Sequence, residues 1–143
     1  MEIRRQAHSV YRYMYHIVWI PRYRYKILVK GVEEYLLTKM DEVRKNYPEI
    51  EYIERSVQPD HVHIVVSFPP KYSIAQVVQI IKQNTGRALK DKFEFLRKSY
   101  YGRGGIWSSG YLVSTVGLDE ETIRRYVRYQ EQEDLGQAKL ELR

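Results

Sequence analysis

The chain has 143 residues, no cysteine and a net charge of +6. That length suits a single domain with a real core; the missing cysteines exclude disulfides and thiolate metal ligands and fit an intracellular setting. There is no apolar run of about 18 residues and no secretory signal pattern at the start, so no membrane span is expected, while basic residues gathered in 1–30 and 82–103 suit a phosphate-bearing partner.

Residues 1–8 read as a loose basic arm. From Tyr11 the odd positions are Tyr11, Tyr13, Tyr15, Ile17 and Trp19, an alternation that predicts a strand to about Ile20, ended by Pro21. Its rings suit core packing or stacking on unpaired bases. Arg22, Arg24 and Lys26 follow without periodicity and are candidate phosphate contacts. After Gly31, the spacing of Val32, Leu36, Leu37, Met40 and Val43 predicts a helix over 32–46, stopped at Tyr47-Pro48. Ile50 to Val57 reads as a strand that turns at Pro59-Asp60 into a second strand, pairing as an antiparallel hairpin.

That second strand, Asp60-His61-Val62-His63-Ile64-Val65-Val66-Ser67-Phe68, carries two histidines at its entrance. Strand side chains alternate, so His61 and His63 share a face and form half of a possible metal site. A lone His-x-His pair also occurs on solvated strand faces. Ser73 is the expected N-cap of a helix from Ile74 to about Lys90, with Ile74, Val77, Val78, Ile81 and Leu89 inward and Lys82, Arg87 and Lys90 facing solvent or DNA. Residues 93–101 suit a short helix or a loop. Trp107 to Val116 reads as a strand, and Gly117 separates it from a helix capped at Asp119. On that helix Tyr126 and Gln130 stand one turn apart and share a face. A charged tail over 136–143 is expected to fray. The order of these elements is the βαββαβ ferredoxin-like pattern, an α+β fold with a central antiparallel sheet of the RRM-like kind, plus one extra C-terminal helix.

Several of these stretches, taken together, resemble the single-tyrosine HUH transposases of prokaryotic insertion sequences, the TnpA proteins. Tyr15-His16-Ile17-Val18-Trp19-Ile20-Pro21-Arg22-Tyr23-Arg24 is similar to the family's opening strand and basic exit. Asp60-His61-Val62-His63 is similar to its HUH motif, and Tyr126-Val127-Arg128-Tyr129-Gln130 to its Tyr-x-x-x-Gln. Ile80-Ile81-Lys82, Gly86-Arg87, Ile106 to Tyr111 and Ser114 to Gly117 fall between them in the family's order. The likeness spans roughly residues 8–135.

The resemblance implies one HUH transposase domain over 1–143, with the nucleophile helix at 118–135. It implies cleavage and rejoining of single-stranded DNA through a 5′-phosphotyrosine, with Tyr126 as nucleophile and Mg²⁺ or Mn²⁺ held by His61, His63 and Gln130. No nucleotide cofactor is expected. Arg22, Arg24, Lys82 and Arg87 are the candidate DNA contacts. The implied partners are DNA hairpins at the element's ends and a second copy of the chain, in a dimer whose sheets join and whose tyrosine helix swings at Gly117 to form a composite site. The implied setting is cytoplasmic and nucleoid-associated. Three other readings stay open. One is a replication-initiator or relaxase-type HUH nuclease. Another is a zinc hydrolase using His8 or His16 as third ligand. The last is a non-catalytic single-strand binder.

Overall fold

The computed structural model describes the backbone of residues 4–6, 9–11, 13–29 and 31–141, and the side chains of 13–29 and 31–138. Its central sheet has four antiparallel strands: β3 (Tyr15–Trp19), β4 (Glu51–Gln58), β5 (His61–Ser67) and β6 (Leu112–Ser114), in the order β4-β5-β3-β6. Helix α1 (Val32–Asn46) joins β3 to β4, and α2 (Ile74–Lys92) with the short α3 (Glu94–Ser99) joins β5 to β6. This is the expected ferredoxin-like order. Helix α4 (Glu120–Glu141) is added at the end.

Alternation divides the sheet into two faces. Ile17, Trp19, Val62, Ile64 and Val66 point to one side and meet Leu36 and Met40 of α1 and Val77, Val78, Ile81 and Leu89 of α2. All of these side chains are buried, which accounts for most of the hydrophobic stabilisation of the fold. Trp19 meets Trp107 edge-on at 5.8 Å, and Trp107 Nε1 donates to Thr85 Oγ1 at 3.2 Å. The close approach of that indole to α2 depends on Gly86, where a Cβ would lie 3.1 Å from Trp107. Ser73 caps α2 as expected, in a reciprocal capping box with Gln76. The opposite face of β3 and β5 carries His16, Val18, Ile20, His61 and His63, and α4 lies across part of it, packing Ile123 and Val127 on Val18 and Ile20.

Four details differ from the sequence reading. Within the stretch expected to be a loose arm, Arg4–Gln6 (β1) pairs with Ser9–Tyr11 (β2). The strand expected to run unbroken from Tyr11 to Ile20 is therefore divided between β2 and β3. The strand expected over 107–116 shrinks to β6: Ser108 N–H donates to Ile20 O at 3.0 Å and Arg22 N–H to Ile106 O at 2.7 Å, but Ser109 to Tyr111 break the ladder before Leu112 pairs with Val18. The tail expected to fray from 136 continues α4 to Glu141, because good helix formers flank the single Gly136.

The two faces predict different mutational costs. Ile64→Ala should destabilise the chain by about 2–5 kcal/mol in urea unfolding, by transfer and cavity terms together. His63→Ala, one residue earlier, should cost about 1 kcal/mol or less. Equal costs would mean that the faces are assigned wrongly.

Candidate functional site

The histidine pair sits where β5 begins. Asp60 closes the β4–β5 turn, and His61 Nδ1 lies 2.9 Å from its Oδ1. An ionised carboxylate only accepts, so Nδ1 carries a proton, and in the neutral ring the lone pair is left on Nε2. That is the arrangement by which a carboxylate prepares a metal-binding imidazole. Asp60 is ionised: burial works against its charge, but hydrogen bonds from His61 and from Arg24 Nε, at 2.9 Å, outweigh burial and hold its pKa below the usual range. His63 lies on the same face. Burial, with the neighbouring His16 and His61, lowers its pKa and favours the neutral, ligand-competent ring. His16 of β3 joins the pair, its Nδ1 3.3 Å from His63 Nε2. His8, the other histidine weighed as a third zinc ligand, lies outside the described residues. Among the described residues no three His, Asp or Glu side chains converge as a metal cluster.

Tyr126 and Gln130 are both on α4. Asp119 caps the helix, its Oδ1 accepting from Thr122 N–H at 2.7 Å. Ile123, Val127, Gln130 and Asp134 are buried and form the stripe on which α4 docks. On one flank Glu131 pairs with Arg24 at 3.1 Å. Tyr126 lies about 140° round the helix from Glu131, in the apolar cluster with Leu112 and Leu118. Its hydroxyl is buried without a hydrogen-bond partner among the described residues. Burial, and secondarily the charge of Asp134, raise the pKa of the phenol well above its ordinary value. The Gln130 amide is fixed at both ends: Nε2 donates to Asp134 Oδ1 at 3.2 Å, and Oε1 is turned to Gly110, where any Cβ would collide with it.

The structure therefore brings the histidines together and, separately, the tyrosine and glutamine. Both pairs belong to one sheet face: α4 lies over Val18 and Ile20 of β3, and the histidines are on β5, the next strand. His61 and His63 are on β5, whereas Gly110, under the Gln130 amide, belongs to the segment beyond β3 on its β6 side. That segment lies two strand spacings, about 10 Å, from β5. No hydrogen bond joins Tyr126 or Gln130 to either histidine among the described residues.

The four expected DNA contacts have different surroundings. Arg87 is exposed at the rim of a cleft of about 440 Å³ between α2 and residues 105–111. Arg22 donates to Arg103 O. Arg24 bridges Asp60 and Glu131. Lys82, expected to face solvent or DNA, is turned inward: Nζ donates to Ser108 O at 2.6 Å and Gly110 O at 3.1 Å, and burial brings its pKa down to about 8. Gly117 stands exposed in the irregular segment before α4, in open space that a Cβ would also fit.

Asp134 was not singled out by the sequence reading. The 4-3-4 spacing of Ile123, Val127, Gln130 and Asp134 carried the signal, but an aspartate on a helix is ordinarily taken as solvated.

The profile of the family described as "Transposase IS200 like" matches residues 9–130. The ISDra2 transposase TnpA of Deinococcus radiodurans is 28% identical over 131 residues, covering 91% of this chain and 92% of the relative. The transposase for insertion sequence element IS200 of Salmonella typhimurium is 29% identical over 131 residues, 90% of this chain and 83% of the relative. Among solved structures, a candidate transposase from Deinococcus radiodurans superposes with a TM-score of 0.75 at 26% identity, covering 89% of this chain and 97% of the other. A REP-associated tyrosine transposase bound to a REP hairpin shares the fold, with a TM-score of 0.55 at 18% identity over 90% of this chain and 70% of the other.

The buried, unpartnered phenol makes a stability prediction. Tyr126→Phe removes a donor that finds no acceptor, so it should stabilise the folded chain by about 1 kcal/mol or more in urea unfolding. A lower unfolding midpoint would mean that the hydroxyl has a partner.

Proposed function

Because the chain belongs to the IS200-like transposase family, we propose that it is a strand transferase that cleaves and rejoins single-stranded DNA at the ends of a mobile element. Tyr126 is the nucleophile. The phenolate oxygen forms the new bond to phosphorus, the 3′ oxygen leaves with the electron pair, and the products are a phosphotyrosine at the DNA 5′ end and a free 3′-OH. Attack by another 3′-OH reverses the step and rejoins strands. The phosphotyrosine conserves the bond energy, so no nucleotide cofactor is required.

The observation that carries this reading is the Asp60–His61 pair beside His63. Two imidazoles prepared for coordination share a sheet face with a helix bearing a tyrosine and an amide one turn apart. His61, His63 and the Gln130 oxygen are the residues that would hold Mg²⁺ or Mn²⁺; a mixed nitrogen and oxygen set with room for water suits these ions. Bound there, the cation would polarise and orient the scissile phosphate. A tyrosine phenol ordinarily titrates near pH 10, and burial raises this one further. Tyr126 is therefore protonated and unreactive where it lies, and it must leave its apolar cluster to attack.

We place the working site between two copies of the chain. The tyrosine and its own histidines lie on different strips of the sheet. The exposed segment around Gly117 connects α4 to β6 without packing constraints at the glycine. Strand β6 is a sheet edge, so a second copy joined along it would present its own sheet beside α4. Arg22, Arg24 and Arg87 form the proposed phosphate-binding surface, with Lys82 shaping the loop beneath Gly110. The DNA hairpin bound by the REP-associated relative supports a hairpin as the recognised form.

The test is a denaturing gel with labelled single-stranded DNA from the flanks of the gene. The wild-type chain should give a covalent adduct that needs Mg²⁺ or Mn²⁺ and disappears in EDTA. Tyr126→Phe and His63→Ala should each bind DNA without forming it, and Gln130→Ala should be milder than His63→Ala. An adduct from Tyr126→Phe would reject the nucleophile assignment. Arg87→Ala should lower the slope of log affinity against log salt by about 0.7, as expected for one lost phosphate contact on a single strand; an unchanged slope would remove Arg87 from the DNA surface.

A further inference from the structure

Asp134 is a carboxylate with 1% of its surface exposed and no ion pair among the described residues. Burying such a charge is costly unless donors surround it. Three do. Tyr23 N–H donates to Oδ2 at 3.0 Å. Ser108 Oγ–H donates to Oδ1 at 2.9 Å, and Gln130 Nε2–H to the same oxygen at 3.2 Å. These donors come from three segments: the turn after β3, the loop before β6, and α4 itself.

The turn after β3 is unusual. Tyr23 and Arg24 have φ of 62° and 56°, a left-handed backbone that non-glycine residues seldom adopt twice in succession. This conformation aims Tyr23 N–H at Asp134 and the Arg24 side chain at Asp60 and Glu131. Ser108 is held from behind, its carbonyl accepting from Lys82 Nζ. The contacts that fix the turn and the loop thus meet α4 at Asp134, with Glu131 reinforcing them on the Arg24 side.

Gln130 is caught in the same network. A carboxylate only accepts, so the amide must turn its nitrogen to Asp134 and its oxygen away. The oxygen then lies against Gly110, on the far side of β3 from His61 and His63. An amide in this position cannot serve the histidine pair.

We propose that Asp134 is the latch of the tyrosine helix: it holds α4 docked on its own chain and keeps Gln130, and with it Tyr126, away from the histidines until the helix is released. This rests on the reading of Tyr126 as nucleophile and Gln130 as ligand. Asp134 touches none of the reacting atoms and is a positioning residue. Releasing it should increase strand cleavage, whereas loss of a merely structural carboxylate would reduce it.

The test uses Asp134→Asn, which keeps the size and removes the charge. The chain has no cysteine, so a nitroxide on Tyr129→Cys, an exposed position of α4, reports helix docking alone. Asp134→Asn should add a mobile component to the label's spectrum and speed single-turnover adduct formation on the flanking single-stranded DNA several-fold. Ser108→Ala, which removes one donor from the same carboxylate, should change both readouts in the same direction by less. A slower adduct, or an unchanged label and rate, overturns the latch. If Asp134→Asn fails to fold cooperatively, Ser108→Ala decides by the same two outcomes. An adduct that persists in Tyr126→Phe would overturn the nucleophile reading and the latch with it, and is distinguishable because it appears with Asp134 intact.

Discussion

The antiparallel pairing of β3 with β5 is the constraint on which the rest of the structure depends. Val18 faces His63 and Trp19 faces Val62 in this register. A slip of β3 by one residue would turn Ile17 and Trp19 out of the core and bury His16 and Val18 in their place. The helices α1 and α2 lock the register by covering Ile17, Trp19, Val62, Ile64 and Val66. The site is thus anchored from the opposite side of the sheet: each histidine is rigid because its neighbour along the strand is core.

On the exposed face the chain keeps its reactive groups apart. His61 is prepared by Asp60, and Asp60 in turn holds Arg24, which reaches Glu131 on α4. The tyrosine helix is therefore tied to the histidine side through one ion-paired arginine, while the Tyr126 hydroxyl is buried in an apolar cluster on the other flank. Burial of Tyr126 without a partner and the donors gathered at Asp134 act in opposite directions on helix docking. The first weakens it and the second strengthens it, so a helix docked in this way is poised to leave. Leaving also lowers the pKa barrier to forming the phenolate, because the main cause of the raised value is burial.

Much of this was legible in the sequence, and the reasons differ by element. The spacing of Val32, Leu36, Met40 and Val43 fixed α1 because an amphipathic stripe has one reading at 3.6 residues per turn. The His-x-His alternation placed both imidazoles on one face for the same kind of reason. Strand β6 was read too long, because Trp107 and Ser108 do pair with β3 while the break at Ser109–Tyr111 is marked only by one Ser-Gly dipeptide. Lys82 was read as a phosphate contact from its charge, although its ammonium is held by two carbonyls contributed by that same irregular loop. Asp134 was passed over since burial of a carboxylate depends on donors 26 and 111 residues away, which no local pattern reveals. Tyr126 and Gln130 were singled out by the family resemblance; the fold sets them on α4 with no hydrogen bond to His61 or His63 among the described residues.

That separation leads to the central claim, that the tyrosine of one copy works with the histidines of another. It is tested most directly by mixing Tyr126→Phe chains with His63→Ala chains, under conditions where differently tagged copies are shown to exchange partners. In a shared arrangement the mixed dimer has one site with both defects and one site with neither, so two inactive proteins should regain DNA cleavage when combined. If exchange is demonstrated and the mixture stays inactive, each tyrosine serves its own histidines and the shared site is wrong.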